Sequence, residues 1–366
     1  MRKRRLPALF LTALFVFSTC TGMISYAGVV SGSRSASSMP GKGNSALAES
    51  KPETETLTVL NNTPAAETTS ATETKPDSSA AAGQTTAVAN SALPEGKVEL
   101  VMLANQSFSQ MESFVIRTKS GKVIVVDGGT EEDEAHLKEV LLADGGHVSA
   151  WLITHPHSDH VGALTKLLNE GASSGITIDS VYYNFTSIEW YQENEPYRAQ
   201  MVADCAAALA TMNPVALHPN VQKGDVIDVD DARITVMNAP YLFATNAINN
   251  SSVVYKVELN GKKIMFLGDL GTEAGNSFLN EYKGVDLSCD IVQMSHHGEN
   301  GVSRQFYERL HPSVCFWNTP AWLWDNVGTN GTGTGNYDTI TVRQWMRDLK
   351  VSANYVMKDG DQTMRW

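Results

Sequence analysis

From Val98 onward the chain alternates between two hydrophobic rhythms. Short apolar runs bounded by Gly, Asn, Asp or Ser read as strands at 98–103, 113–117, 122–126, 150–154 and 180–185 in the first half. The second half repeats the style at 224–229, 233–237, 252–257, 263–267, 290–294, 313–317, 354–357 and 362–365. Apolar residues at helical spacing read as helices at 130–143, 161–168, 197–212, 303–310 and 340–349. Thr130-Glu131-Glu132-Asp133 opens the first of them like a capping box. Ser120-Gly121 and Asn260-Gly261 mark hairpin turns, the second of type I′. Strand runs come first and strand–helix alternation follows, which predicts an α/β fold with two mixed β-sheets and helices outside them.

The first 95 residues lack both rhythms. Met1-Arg2-Lys3-Arg4-Arg5 is basic, and residues 6–17 are apolar but too short for a membrane span. Ser25-Tyr26-Ala27 is a small-x-small site, so residues 1–27 are expected to be a signal peptide cleaved before Gly28. Cys20 offers a second reading as a lipid anchor, although Phe17-Ser18-Thr19 fits that poorly, and a retained N-terminal anchor is a third. All three predict an extracellular or cell-surface protein, and cleavage leaves no transmembrane span in the mature form. Residues 28–95 are crowded with Ser, Thr and Ala and hold no apolar period, so they are expected to be a disordered tether. Residues 96–366 are long enough for one domain with a sizeable core.

From residue 97 the chain carries 20 Lys and Arg against 33 Asp and Glu. Such an acidic domain is a poor electrostatic match to long nucleic acid. A small-molecule or cell-envelope substrate suits it better. Cys205, Cys289 and Cys315 follow the signal segment, none at metal-ligand spacing, and a Cys289–Cys315 disulfide is compatible with export.

The chemistry concentrates at strand ends. Residues 155–160, His-Pro-His-Ser-Asp-His, place three imidazoles and a carboxylate in a strand-to-helix turn. Asp127 before Gly128-Gly129, Gly268-Asp269, and Ser295-His296-His297-Gly298 end other strands. His136, His147 and His311 have no partner at useful spacing and read as ordinary helix or loop residues. The loop from Thr319 to Tyr337, with Trp322, Trp324 and four glycines, and the segment from Trp190 to Tyr197 are long enough to line a pocket.

These pieces, in this order, resemble the metallo-β-lactamase superfamily of hydrolases over essentially the whole domain. Within it, Lys223-Gly224-Asp225, the run 249–254, Phe266-Leu267-Gly268-Asp269 and Ser295-His296-His297-Gly298 look most like the extracellular hydrolase domain of the DNA-uptake competence protein and its secreted relatives. The resemblance implies a four-layer αβ/βα sandwich with its site at one edge. His155 and His157 would hold one metal. Asp159, His160 and a histidine of the 296–297 pair would hold a second, and Asp269 would bridge the two. His296 is favoured as the ligand and His297 as its substrate-facing catalytic neighbour, though the sequence does not separate the pair. Asp127 would orient the metal-binding turn from behind, and Asp159 would also help position the attacking water.

One departure stands out. Many superfamily members place a further histidine on the first metal, just before the strand that starts here at Ser252. This chain has Ile248-Asn249-Asn250-Ser251, and His218 lies well upstream, where it reads as a surface residue. Asn249 and Asn250, like Trp322 and Trp324, thereby become candidate substrate contacts. The expected cofactor is one or two divalent ions, zinc first, with manganese or iron also suited to imidazole and carboxylate.

The expected activity is metal-dependent hydrolysis of a phosphodiester or related phosphate ester. The alternatives are a carbonyl substrate (lactone, amide or β-lactam) and a non-catalytic surface ligand-binding module. Limited proteolysis of the mature chain should cut within residues 28–95 without loss of metal binding. A resistant segment, or a domain that unfolds once it is removed, would refute the tether.

Overall fold

A computed structural model describes residues 93–366. The expected signal peptide and all but the last three residues of the expected tether lie outside the described residues. The first half runs β1 (Glu99–Met102), β2 (Ser113–Arg117), β3 (Val123–Asp127), α1 (Glu134–Ala143), β4 (His147–Val148), β5 (Ala150–Leu152), α2 (Ser158–Glu170), β6 (Thr177–Ile178), β7 (Val181–Tyr183), α3 (Ile188–Asn194), α4 (Ala199–Leu209) and β8 (Leu217–Pro219). The second runs β9 (Val226–Val229), β10 (Ala232–Val236), α5 (Ala247–Asn250), β11 (Tyr255–Leu259), β12 (Lys262–Phe266), α6 (Thr272–Glu281), β13 (Ile291–Gln293), α7 (Arg304–Leu310), β14 (Val314–Trp317), α8 (Ala321–Trp324), α9 (Thr339–Asp348), β15 (Ala353–Val356) and β16 (Gln362–Arg365).

Two seven-stranded sheets result, in the orders β16-β1-β2-β3-β5-β7-β8 and β15-β14-β13-β12-β11-β10-β9. Each is antiparallel in one half and parallel in the other. The sheets share one apolar layer. Phe114 of the first meets Phe266 and Phe316 of the second edge-on, with ring centroids 5.2 and 6.0 Å apart. The opposite faces of the second sheet, including Met265, Val292 and Trp317, pack with Phe278, Phe306 and Met346 of the outer helices. Leu137 and Leu164 of α1 and α2 cover the first sheet. Central strands are thus buried on both faces, which is why they read as unbroken apolar runs. The architecture is the expected four-layer αβ/βα sandwich.

Some elements depart from expectation. The strand expected at 252–257 runs instead over Tyr255–Leu259, because residues 247–250 close a helical turn before it. α6 escapes the sequence pattern because Gly275 interrupts it, yet the glycine is required: a Cβ there would lie 2.9 Å from Val302 Cγ1. β16 returns from the C-terminus to pair with β1 at the other end of the domain, Met102 opposite Gln362. Cys289 and Cys315 are buried and unbridged. No described helix is long and apolar enough to cross a membrane.

Two histidines read as partnerless, His136 and His147, have partners, and His218, read as a surface residue, is partly covered. His218 lies in β8, half-buried and stacked on Tyr182 at 4.4 Å. His147 Nε2 lies 2.8 Å from Asp179 Oδ1. His136 Nε2 lies 2.9 Å from Asp361 Oδ1, an oxygen that also accepts the Ala104 N–H. The Asp361 hydrogen bond raises the His136 pKa above its ordinary value. The stability this adds is fully present below the unfolded histidine value and fades as pH rises through the folded one. His136→Ala should therefore cost about 1 kcal/mol near pH 5.5, after solvent screening, and markedly less near pH 9. Equal losses in denaturant melts at both pH values would contradict the pair.

Candidate metal centre

The carboxyl ends of β3, β5, β12, β13 and β14 converge on one edge, and each delivers a polar residue there. Asp127 ends β3 with its backbone in the left-handed region (φ 55°) and its side chain fully buried. Its Oδ1 accepts the Thr154 N–H at 2.8 Å, and its Oδ2 accepts the Thr154 hydroxyl at 2.7 Å and faces His160 Nδ1 at 2.7 Å. These bonds set the imidazole tautomers. His160 spends Nδ1–H on Asp127, so Nε2 is left for another partner. Thr154's hydroxyl proton is already committed, so His155 Nδ1–H, at 3.1 Å, donates to its oxygen and again leaves Nε2 free. Gly268 closes the edge from the second sheet. A Cβ there would sit 2.7 Å from Thr154 Cβ, and the glycine's φ is +55°.

Two donor sets form around Asp269, which is buried and shared between them. The first is His155, His157 and Asp269, and the second is Asp159, His160, Asp269 and His297. Asp269 Oδ2 lies 3.3 Å from both His160 Nε2 and His297 Nε2 and 3.8 Å from His155 Nε2. His297 Nε2 is also 3.2 Å from Asp159 Oδ2. His155 Nε2 and His157 Nδ1 face each other at 3.1 Å.

The electrostatics differ between the sets. Burial drives His155 far below its ordinary pKa and His157 down to about 4, so both are neutral and present lone pairs. In the second set burial opposes charge but loses. The Asp269 charge, with the Asp159 carboxylate 3.2 Å away, lifts His297 to about 10, and Asp269 and Asp127 raise His160. Burial likewise opposes ionisation of Asp159 and Asp269, yet the imidazoles around them hold both low. The buried Nε2 atoms of His160 and His297 and Oδ1 of Asp269 have no hydrogen-bond partner among the described residues. Facing lone pairs, clustered carboxylates and orphaned nitrogens are what a divalent cation satisfies, so the residues fit one or two such ions.

The sequence-derived site residues divide accordingly. His155, His157, Asp159, His160 and Asp269 come together, with Asp127 behind them. The preference within the pair reverses: His297 is buried among the second set, whereas His296 lies outside both. The cause is the backbone, for both residues take left-handed φ values (52° and 55°) and their rings diverge. His296 Nε2 is 3.9 Å from Asp269 Oδ2 and 3.2 Å from Asn249 Nδ2. Asn249 therefore stays beside His296 at the border of the site. Asn250 does not, because its Oδ1 accepts the Ala274 N–H and its Nδ2 donates to Thr245 O, capping α6. Trp324 is likewise structural: its ring stands against Trp317 and under Arg343. Trp322 stacks on the exposed Phe108 and donates to its carbonyl at 2.9 Å. Tyr191 of the 190–197 segment is core. Glu195, in the same segment, puts Oε2 4.0 Å from His157 Nε2 and accepts the Ile248 N–H at 2.7 Å. Sequence reasoning missed Glu195, and also Glu112 and Asn318, which lie in no local motif.

Residues 109–317 match the family model of the metallo-β-lactamase superfamily, and the chain belongs to that superfamily. No curated protein matches the chain. Among solved structures, the metallo-β-lactamase fold protein YhfI from Bacillus subtilis is 10% identical, with a TM-score of 0.46 over 74% of this chain and 100% of that one. CmlA, a diiron β-hydroxylase from Streptomyces venezuelae, is 13% identical, with a TM-score of 0.47 over 75% of this chain and 55% of that one. A diphosphatase of the PhnP family is 13% identical, with a TM-score of 0.38 over 74% and 97%.

Ions entering the second set must displace the protons on His160 and His297. Because His297 holds its proton until pH nears about 10, a metal competes better as pH rises toward that value. Affinity for zinc or manganese should therefore climb between about pH 6 and pH 8, with net proton release seen by calorimetry in buffers of different ionisation enthalpy. A flat affinity with no proton release would contradict this charge pattern.

Proposed function

We propose that this chain is an exported, metal-dependent hydrolase of phosphodiester or related phosphate-ester bonds. The observation that carries the reading is the asymmetry of the two donor sets around Asp269. The second has four donors and the first three, and Asn249, beside His296, stands in the sequence where many superfamily members place a further histidine. That leaves room at the first position for a substrate oxygen. A phosphodiester offers two non-bridging oxygens, sharing one negative charge, that can span both positions, whereas a lactam offers one neutral carbonyl oxygen. When bound, the ions would supply Lewis acidity toward a water and toward the phosphoryl oxygens.

The chain's own groups do the rest. His155, His157, Asp159, His160, Asp269 and His297 would hold the ions, and Asp127 and Glu195 would fix ring orientation. Asp159, the most exposed of the second set, would orient the attacking water through a carboxylate oxygen. His296 and Asn249 would meet the substrate. The acidic surface favours small phosphodiesters or envelope-linked phosphates over long polynucleotides. The basic-then-apolar N-terminus supports delivery to the cell surface, and the 249–254 and 295–298 motifs support kinship with the competence-protein hydrolases.

A panel of bis-(nitrophenyl) phosphate, a chromogenic lactone and a cephalosporin, run with zinc, manganese and iron, tests the reading. Phosphodiester turnover should lead with at least one metal, and His157→Ala with Asp159→Ala should remove it together with most bound metal. Faster cephalosporin or lactone turnover under every metal would overturn the phosphodiester assignment. Equal metal content in wild type and double variant would overturn the metal centre itself.

A further inference from the structure

Glu112 immediately precedes β2 and is completely buried. Its backbone N–H donates to the Asp159 carbonyl at 2.9 Å. Its Oε2 accepts from Asn318 Nδ2 at 3.1 Å, across 206 residues of sequence. That same Nδ2 lies 2.9 Å from His297 Nδ1, so the Asn318 amide is lodged against the edge of the His297 ring. His297 Nδ1 in turn lies 3.2 Å from the Asn318 carbonyl oxygen, to which Nδ1–H donates when Nε2 serves as a metal donor. Glu112 thus reaches Asp159 directly through its backbone and His297 through Asn318.

The segment carrying Glu112 is itself tied down. Ala104 N–H donates to Asp361, Gln106 N–H to Asp133 and Leu103 N–H to the Ser113 carbonyl. The other carboxyl oxygen, Oε1, is buried with no hydrogen-bond partner among the described residues. Burying such a group is unfavourable, and an apolar side chain of similar volume would serve packing alone better.

We propose that Glu112 is a positioning residue for the second metal position, holding Asn318 so that Asn318 fixes His297 with Nε2 aimed at Asp159 and Asp269. The proposal rests on the metal-centre reading above but goes beyond it, because neither residue belongs to the two donor sets around Asp269; Glu112 also lies within 4.8 Å of ligand atoms of Asp127 and His160, behind the second set. Loss of Glu112 releases the Asn318 amide, lets the His297 ring turn, and weakens the second position while leaving His155 and His157 untouched.

The full chain, stripped of metal, is titrated with cobalt(II) as the probe, and affinity, stoichiometry, the visible absorption spectrum and the metal-free melting temperature are recorded for each variant. Glu112→Ala should weaken one of the two ions by about 10–100-fold and change the cobalt spectrum, with no fall in metal-free melting temperature. Glu112→Gln, which keeps an acceptor oxygen for Asn318, should recover most of the affinity. Asn318→Ala, which leaves Glu112 in place, should reproduce the loss if Glu112→Ala does not fold. Wild-type affinity and spectrum in the Ala variants would overturn the proposal, as would a lowered melting temperature with unchanged affinity per folded molecule. If wild type itself binds no cobalt, the metal-centre reading falls first and the proposal with it.

Discussion

One buried carboxylate organises the site. Asp127 accepts a backbone N–H, a hydroxyl and an imidazole N–H, and through them fixes Thr154, His155 and His160 at once. A carboxylate at full burial is tolerable only when its lone pairs are used in this way. The result is two imidazoles whose outward nitrogens point toward Asp269, His155 already neutral in the metal-binding tautomer and His160 reaching it when its Nε2 proton is lost. The close approach of Gly268 to Thr154 then presses the second sheet's strand end against the first. The edge becomes one surface rather than two.

The two donor sets built on that edge are not equivalent. His155 and His157 are desolvated and neutral, because burial outweighs the carboxylates of Asp269, Asp159 and Glu195 near them. Asp159, His160 and His297 are interleaved charges that hold each other in place even without metal. The first position is therefore poor in donors and open, and the second is rich in donors and proton-blocked. The division is one of donor number, three in the first set and four in the second.

Much of this was legible locally. The six-residue His/Asp turn carries its own meaning because strand, turn and helix N-terminus are contiguous, so the sequence alone places His155, His157, Asp159 and His160 together. Asp127 and Asp269 are readable because each ends an apolar run at a glycine. The sheet strands are readable because double-sided burial demands unbroken apolar residues. α6 was less so, since Gly275 is set by a contact with Val302 far along the chain.

What the sequence by itself determined is the inventory: strand runs, helices, the ligand types and the strand ends that carry them, all encoded in periodicity and short-range spacing. What only the tertiary structure decided is which inventory members meet. His296 and His297 are chemically identical neighbours, and only the ring directions set by two left-handed backbone positions put His297 among the donors. Asn249 and Asn250 are equally alike, yet one faces His296 and the other caps a helix. Glu112 and Asn318, or β1 and β16, lie at opposite ends of the domain and have no reason to be paired until the sheets close. Such pairings depend on distances across the sandwich, and those are fixed by packing of the shared apolar layer rather than by any local run of residues.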